Sequence, residues 1–129
     1  MSLDEERWMR ILRRMPEIEE AAGPPLAVAF IGGDAYEAKR GQAWLWWPGS
    51  RTRATGPVAF DGRYPDDWGL LLVMNETAIA RVGADGTACM AHLARLLDIK
   101  PFVLRQREEL DAGGVLEFIE DLELATPKH

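Results

Sequence analysis

Residues 93–116 read LARLLDIKPFVLRQREELDAGGVL, and the folding of this stretch decides the architecture of the second half of the chain. Thr87 can cap a helix running through Leu97. Pro101 lacks an N–H and suits the first turn of another helix, which is predicted to extend to about Ala112. Leu93, Leu97, Ile99, Val103 and Leu110 would then form a small core between two crossing helices. After Gly113-Gly114 comes VLEFIEDLEL (115–124), which satisfies two periods. Leu116, Phe118, Leu122 and Leu124 alternate as in a strand, whereas Val115, Phe118, Ile119 and Leu122 recur as in a helix.

The rest of the sequence bounds what this element can serve. At 129 residues, with 47% hydrophobic and 28% charged residues, the chain has the size and composition of one soluble domain. If there are two lobes, 1–60 and 61–129, the turn-rich DGRYPDDWG (61–69) is their boundary. The longest apolar run, LAVAFI (26–31), is far short of a membrane span. MSLDEERWMR has no apolar h-region, and the single Cys89 forbids an internal disulfide; both fit a reducing cytoplasm. Residues 1–60 hold eight basic and eight acidic side chains, residues 61–129 seven and thirteen, so the whole net charge of −6 sits in the second half. An acidic body repels phosphates.

In the first half, Ser2 with Glu5 fits a capping box, and Trp8, Ile11, Leu12, Met15 and Ile18 recur at helical spacing. Arg7, Arg10 and Arg14 share another face of that helix. Pro16 predicts a kink or restart, and the helix should stop before Gly23-Pro24-Pro25. LAVAFI reads as a buried strand ended by a Gly32-Gly33-Asp34 turn, QAWLWW (42–47) as a second strand, and PVAF (57–60) as a third. Trp44 and Trp46 of the second strand point to one side, Leu45 and Trp47 to the other. In GLLLVMNETAIARVGADG (69–86) a hairpin joined by Asn75-Glu76 is favoured. The alternative is a helix aligning Leu70, Val73, Thr77 and Ala80.

Leu93-Ala94, Leu97, Ile99, Val103, Leu110 and Gly114 together give residues 87–124 a pattern that resembles the core of a winged helix-turn-helix domain. With the elements above, the expected fold is α+β, an amino-terminal helix and a small antiparallel sheet, to which the resemblance adds a carboxy-terminal helix pair whose wing is formed by 115–124. The resemblance also implies duplex DNA as partner, met by Lys100, Arg105 and Gln106 at the front of the second helix. Winged helices also bind proteins, a role that would suit Phe102.

Other constellations carry less chemistry. In AWLWWPGSRTR (43–53), the tryptophans offer stacking faces, and Arg51 and Arg53 can grip phosphate or an acidic partner. Cys89 and His92 lie three apart on one helical face, but a structural zinc site needs four ligands. FIGGD (30–34) lacks the Lys-Ser/Thr ending of a phosphate-binding loop. Ser2 and Ser50 lie in no nucleophile elbow, and His92 is the one non-terminal histidine, so no catalytic residue, metal or cofactor is assigned. Two readings result. One is a non-enzymatic regulator binding duplex DNA through Lys100, Arg105, Gln106, Arg51 and Arg53. The other is an acidic protein-interaction module using Trp44, Trp46 and Phe102. Either is compatible with a homodimer.

Overall fold

The apolar runs form the centre of a mixed sheet. A computed structural model describes residues 3–123 of the chain, which is α+β. After α1 (Leu3–Arg13) come β1 (Ala27–Gly32), α2 (Gly33–Ala38), β2 (Gly41–Trp46), β3 (Gly56–Phe60) and β4 (Trp68–Met74). They are followed by α3 (Glu76–Asp85), a 3-10 turn (Gly86–Cys89), α4 (Met90–Arg95), β5 (Ile99–Val103), α5 (Arg107–Ala112) and α6 (Leu116–Asp121). The sheet order is β3-β2-β1-β4-β5. It is not the antiparallel sheet expected, because β1 and β4 pair in parallel while the other pairs are antiparallel. The reason lies in AVAFI and WGLLLVM, whose residues are all buried. Strands apolar on both sides belong at the centre of a sheet covered on both faces. The connector 61–67 therefore carries the chain from β3, at one edge, back to β4 beside β1.

On one face, helices α1 and α3–α6 bury Ile11, Val82, Met90, Leu93, Leu110 and Ile119 against Val28, Phe30, Trp44, Trp46, Leu70 and Leu72. The other face carries Ala29, Ile31, Ala43, Leu45, Trp47, Leu71 and Val73. Its cover includes Tyr36 of α2, and Trp68, the first residue of β4, packs into the same cluster. No helix among the described residues is long and apolar enough to cross a membrane.

Several local expectations need correction. In α1 the helix ends at Arg13 and does not restart after Pro16; Ser2, its expected cap, lies outside the described residues. Gly33 opens α2, where a glycine turn was expected. Residues 69–86 are a strand followed by a helix and not a hairpin. Asn75 acts as an N-cap there: its side chain accepts the Ala78 N–H at 2.9 Å, and its amide donates to Asp98. That cap satisfies an otherwise orphaned helix donor, which an Asn-Glu pair in a hairpin turn would not do.

The largest correction falls on the opening stretch. Residues 99–103 form a strand, so the helix predicted from Pro101 begins only at Arg107. Residues 116–121, expected as a wing, form a helix. IKPFV alternates with period two. Ile99 and Val103 pair with Met74 and Leu70 on the helix-covered face, and Lys100 and Phe102 pair with Val73 and Leu71 on the other. Pro101 is tolerated because β5 is an edge strand. Beyond Glu123, including Leu124 of the expected wing, the chain lies outside the described residues.

The turn before β5 holds a conformational oddity. Asp98 N–H bonds the Leu93 carbonyl and Leu97 N–H that of Ala94, a helix stop that usually places glycine where Leu97 stands. Leu97 adopts φ 63° and is 66% exposed. Leu97→Gly is expected to stabilise the protein by about 1 kcal/mol, because the left-handed conformation penalises a Cβ and little burial is given up. An unchanged or lowered urea midpoint would show that the exposed side chain makes a compensating interaction.

Candidate interaction cleft

Pro16 and the acids after it build the wall of a cleft. Once Pro16 has ended the helical path, the chain runs as a strap over the end of β2. Glu19 N–H bonds the Pro48 carbonyl at 3.0 Å, Ala21 N–H that of Gly49 at 2.8 Å, and Gly23 N–H that of Ala112 at 2.8 Å. Arg51 secures the strap from outside, donating its main-chain N–H to Glu20 Oε1 and its guanidinium to the Ile18 carbonyl. Between the strap and α6 lies a cavity of about 330 Å³. Trp46 and Phe118 line its floor, meeting edge to face with ring centres 5.0 Å apart.

Six carboxylates line this cavity: Glu17, Glu19 and Glu20 from the strap, Asp111 from α5, and Glu117 and Asp121 from α6. Glu117 and Asp121 are four residues apart and so share a helix face. No lysine or arginine is among the described lining residues. Among the described residues no group of three or more His, Cys, Asp and Glu is placed to hold a metal ion. The acids therefore ring the cleft without converging on a point. Such a ring favours an extended cation-bearing ligand over a single ion.

A close main-chain crossing gives the cleft its shape. A Cβ on Gly49 would lie 2.6 Å from the Gly113 carbonyl oxygen and 2.7 Å from Ala21 Cβ. A Cβ on Gly114, which lines the cavity, would lie 2.8 Å from Gly49 Cα. Backbone approaches backbone here, and only glycine leaves room. A second cavity, of about 400 Å³, opens at the other side of the helical layer over the stacked Trp8 and Trp44. Its acids, Asp4, Glu5, Asp34 and Glu76, face Arg7, which is ion-paired with Glu76.

The sequence-derived site residues do not come together. Trp44 and Trp46 are 2% and 4% exposed beneath the helices, so they offer no open face, and Phe102 stands on the opposite side of the sheet. Lys100 is exposed on β5. Arg105 follows the strand rather than fronting a helix, and its guanidinium donates to the Pro65 carbonyl and Asp66. Gln106 stands at the start of α5, where its N–H bonds Glu109. Arg53 lies over the Trp47 ring at 5.1 Å, while the Trp47 indole donates to the Ala54 carbonyl. Cys89 is buried, its thiol donates to the Gly86 carbonyl, and burial pushes its pKa up, which keeps it protonated. Sequence reasoning passed over Glu17, Glu19, Glu20, Glu117 and Asp121. The available signal was three acids within four residues directly after a helix-ending proline.

Comparison with protein-family models, curated proteins and solved structures finds no match for this chain.

Proposed function

We propose that this chain is a non-enzymatic binding protein of the cytoplasm that docks a basic segment of a partner protein in the cleft between the strap and α6. One observation carries the reading: among the described residues, six carboxylates and no lysine or arginine line a cavity floored by Trp46 and Phe118. A lysine or arginine brought within about 4 Å of one carboxylate gains roughly 1 kcal/mol even in water-like surroundings. Several such pairs, with an apolar stem against the floor, give affinity and steer encounter. The net charge of −6 acts in the same direction at long range. Duplex DNA is less well supported, since Arg51, Arg53 and Arg105 are engaged within the chain.

The test is a titration with an arginine- and lysine-rich peptide carrying interspersed leucines, followed by calorimetry at two salt concentrations. The double substitution Glu117→Gln, Asp121→Asn is expected to weaken binding by about tenfold. Glu37→Gln on α2, away from the cleft, should change it less than about twofold. Equal losses from the cleft and α2 variants, or binding indifferent to salt, would reduce the interaction to unspecific charge and remove the proposal.

A further inference from the structure

The sheet face away from the large helical layer presents a different chemistry. Its shorter cover leaves aromatic rings at the surface: Phe102 is 36% exposed and Tyr64 41%. Phe102 stacks on Tyr36 with ring centres 5.5 Å apart, and Tyr64 stacks on Phe60 at 6.2 Å. The Tyr36 phenol is close enough to Tyr64 to act on its ionisation, which places the two stacked pairs side by side; burial first, and then this neighbour, pushes the Tyr64 pKa up.

Cations border these rings. Lys100 precedes Phe102 by two residues on the same side of β5. The Lys39 side chain runs past Gly62, three to four ångströms from where a Cβ there would stand, which brings it to the connector that carries Tyr64. Arg63 adjoins Tyr64. All three are exposed, and none is in the ion pairs of the described residues. The neighbouring acids are partly engaged: Asp61 accepts the Arg63 N–H and Asp66 pairs with Arg105, leaving Glu37 of α2 and Asp67 of the connector. Asp34 lines the cavity on the opposite, Trp8 side.

We infer that this face binds single-stranded nucleic acid, its bases stacking on Phe102, Tyr36 and Tyr64 and its phosphates meeting Lys100, Lys39 and Arg63. The charge chooses the occupant: aromatic faces bordered by unpaired cations suit a ligand that alternates π-faces with phosphates. The exposed rings choose the strandedness, because bases can stack on them only when they are not already stacked in a duplex. The site is separate from the acidic cleft and does not depend on the reading given to that cleft.

The probe is a labelled oligo(dT) of ~12 nucleotides, a length that one such surface can span, with fluorescence anisotropy as readout and the duplex of the same length as comparison. Saturable binding to the single strand is expected. Phe102→Ala and Tyr64→Ala should each weaken it at least ~fivefold. Lys100→Glu, at an exposed position that leaves the fold intact, should weaken it and reduce the salt slope by about 0.7 for each phosphate that is no longer neutralised. Thermal melts confirm that each variant is folded. The Glu117→Gln, Asp121→Asn protein should bind the oligonucleotide at least as well as the parent. The ring variants should keep their affinity for the basic peptide, so the two sites fail separately. Absent binding at low salt, equal affinity for the duplex, or indifference to all three substitutions would overturn the inference. A dimer in sedimentation that Phe102→Ala dissociates would also overturn it, assigning the face to a second copy of the chain.

Discussion

Gly49→Ala is expected to destabilise the protein by about 2–4 kcal/mol and to lower its melting temperature by roughly 10 °C. The new methyl group would stand 2.6 Å from the Gly113 carbonyl oxygen and 2.7 Å from Ala21 Cβ. Neither obstacle is the end of a flexible side chain. The strap is hydrogen-bonded to Gly49 itself through Ala21 N–H, and Gly113 N–H is bonded back to the Glu109 carbonyl. Relief therefore requires the strap or the α5–α6 turn to move away from β2, which breaks main-chain bonds and widens the cleft. Gly33→Ala is the matched control, because a Cβ at Gly33 has nothing within 4 Å and the residue opens α2. Alanine there should be neutral or stabilising by up to about 1 kcal/mol, through helix propensity. Urea denaturation of the two variants reads the difference. If Gly49→Ala is as mild as Gly33→Ala, the crossing is looser than these distances imply, and the cleft does not have a rigid wall.

Trp46→Ala should cost about 3–5 kcal/mol, the range for deleting a buried aromatic side chain. Trp46 is 4% exposed, belongs to the cluster joining the sheet to α1 and α6, and meets Phe118 edge to face. It also lies at the floor of two openings, the acidic cleft and a shallower one bordered by Leu12, Met15 and Ile18 on the other side of Pro16. Its removal would join these openings beneath the strap, so water entry adds to the forfeited burial. Trp46→Phe keeps a ring against Phe118 and should recover more than half of the loss. In folded Trp46→Phe protein, basic-peptide binding should persist at reduced affinity, since the carboxylates remain. A loss below about 1.5 kcal/mol for Trp46→Ala in chemical denaturation would mean that the floor is not close-packed.

The two largest predictions concern the residues whose roles were hardest to read from the chain. QAWLWW showed which tryptophans share a side, and that alternation holds: Trp44 and Trp46 lie in one core cluster, Leu45 and Trp47 in the other. It did not show that both sides are covered, so a surface role looked open to residues that the fold encloses. Glycine placement was equally opaque. Gly49-Ser50 reads as an ordinary turn after Pro48, and nothing nearby in sequence announces Gly113 and Gly114 as its neighbours in space. Five of the six acids of the cleft come from segments about a hundred residues apart, Glu17–Glu20 and Glu117–Asp121, and the sixth is Asp111; each segment alone looks like a solvated surface run.

By itself, the amino-acid sequence determined the α+β class, the first helix, the strands over LAVAFI, QAWLWW and PVAF, and the sidedness of the tryptophan strand. These depend on short-range periodicity, which the chain carries locally. Tertiary structure alone decided the identity of residues 99–103 and 115–121. Both stretches satisfy more than one local pattern, and Pro101 suits a helix start and an edge strand alike. The choice fell to long-range partners, since β4 offered Leu70 and Met74 an open edge to pair with Val103 and Ile99. A few hydrogen bonds and buried side chains on that edge outweigh local preferences that are worth only tenths of a kilocalorie per residue.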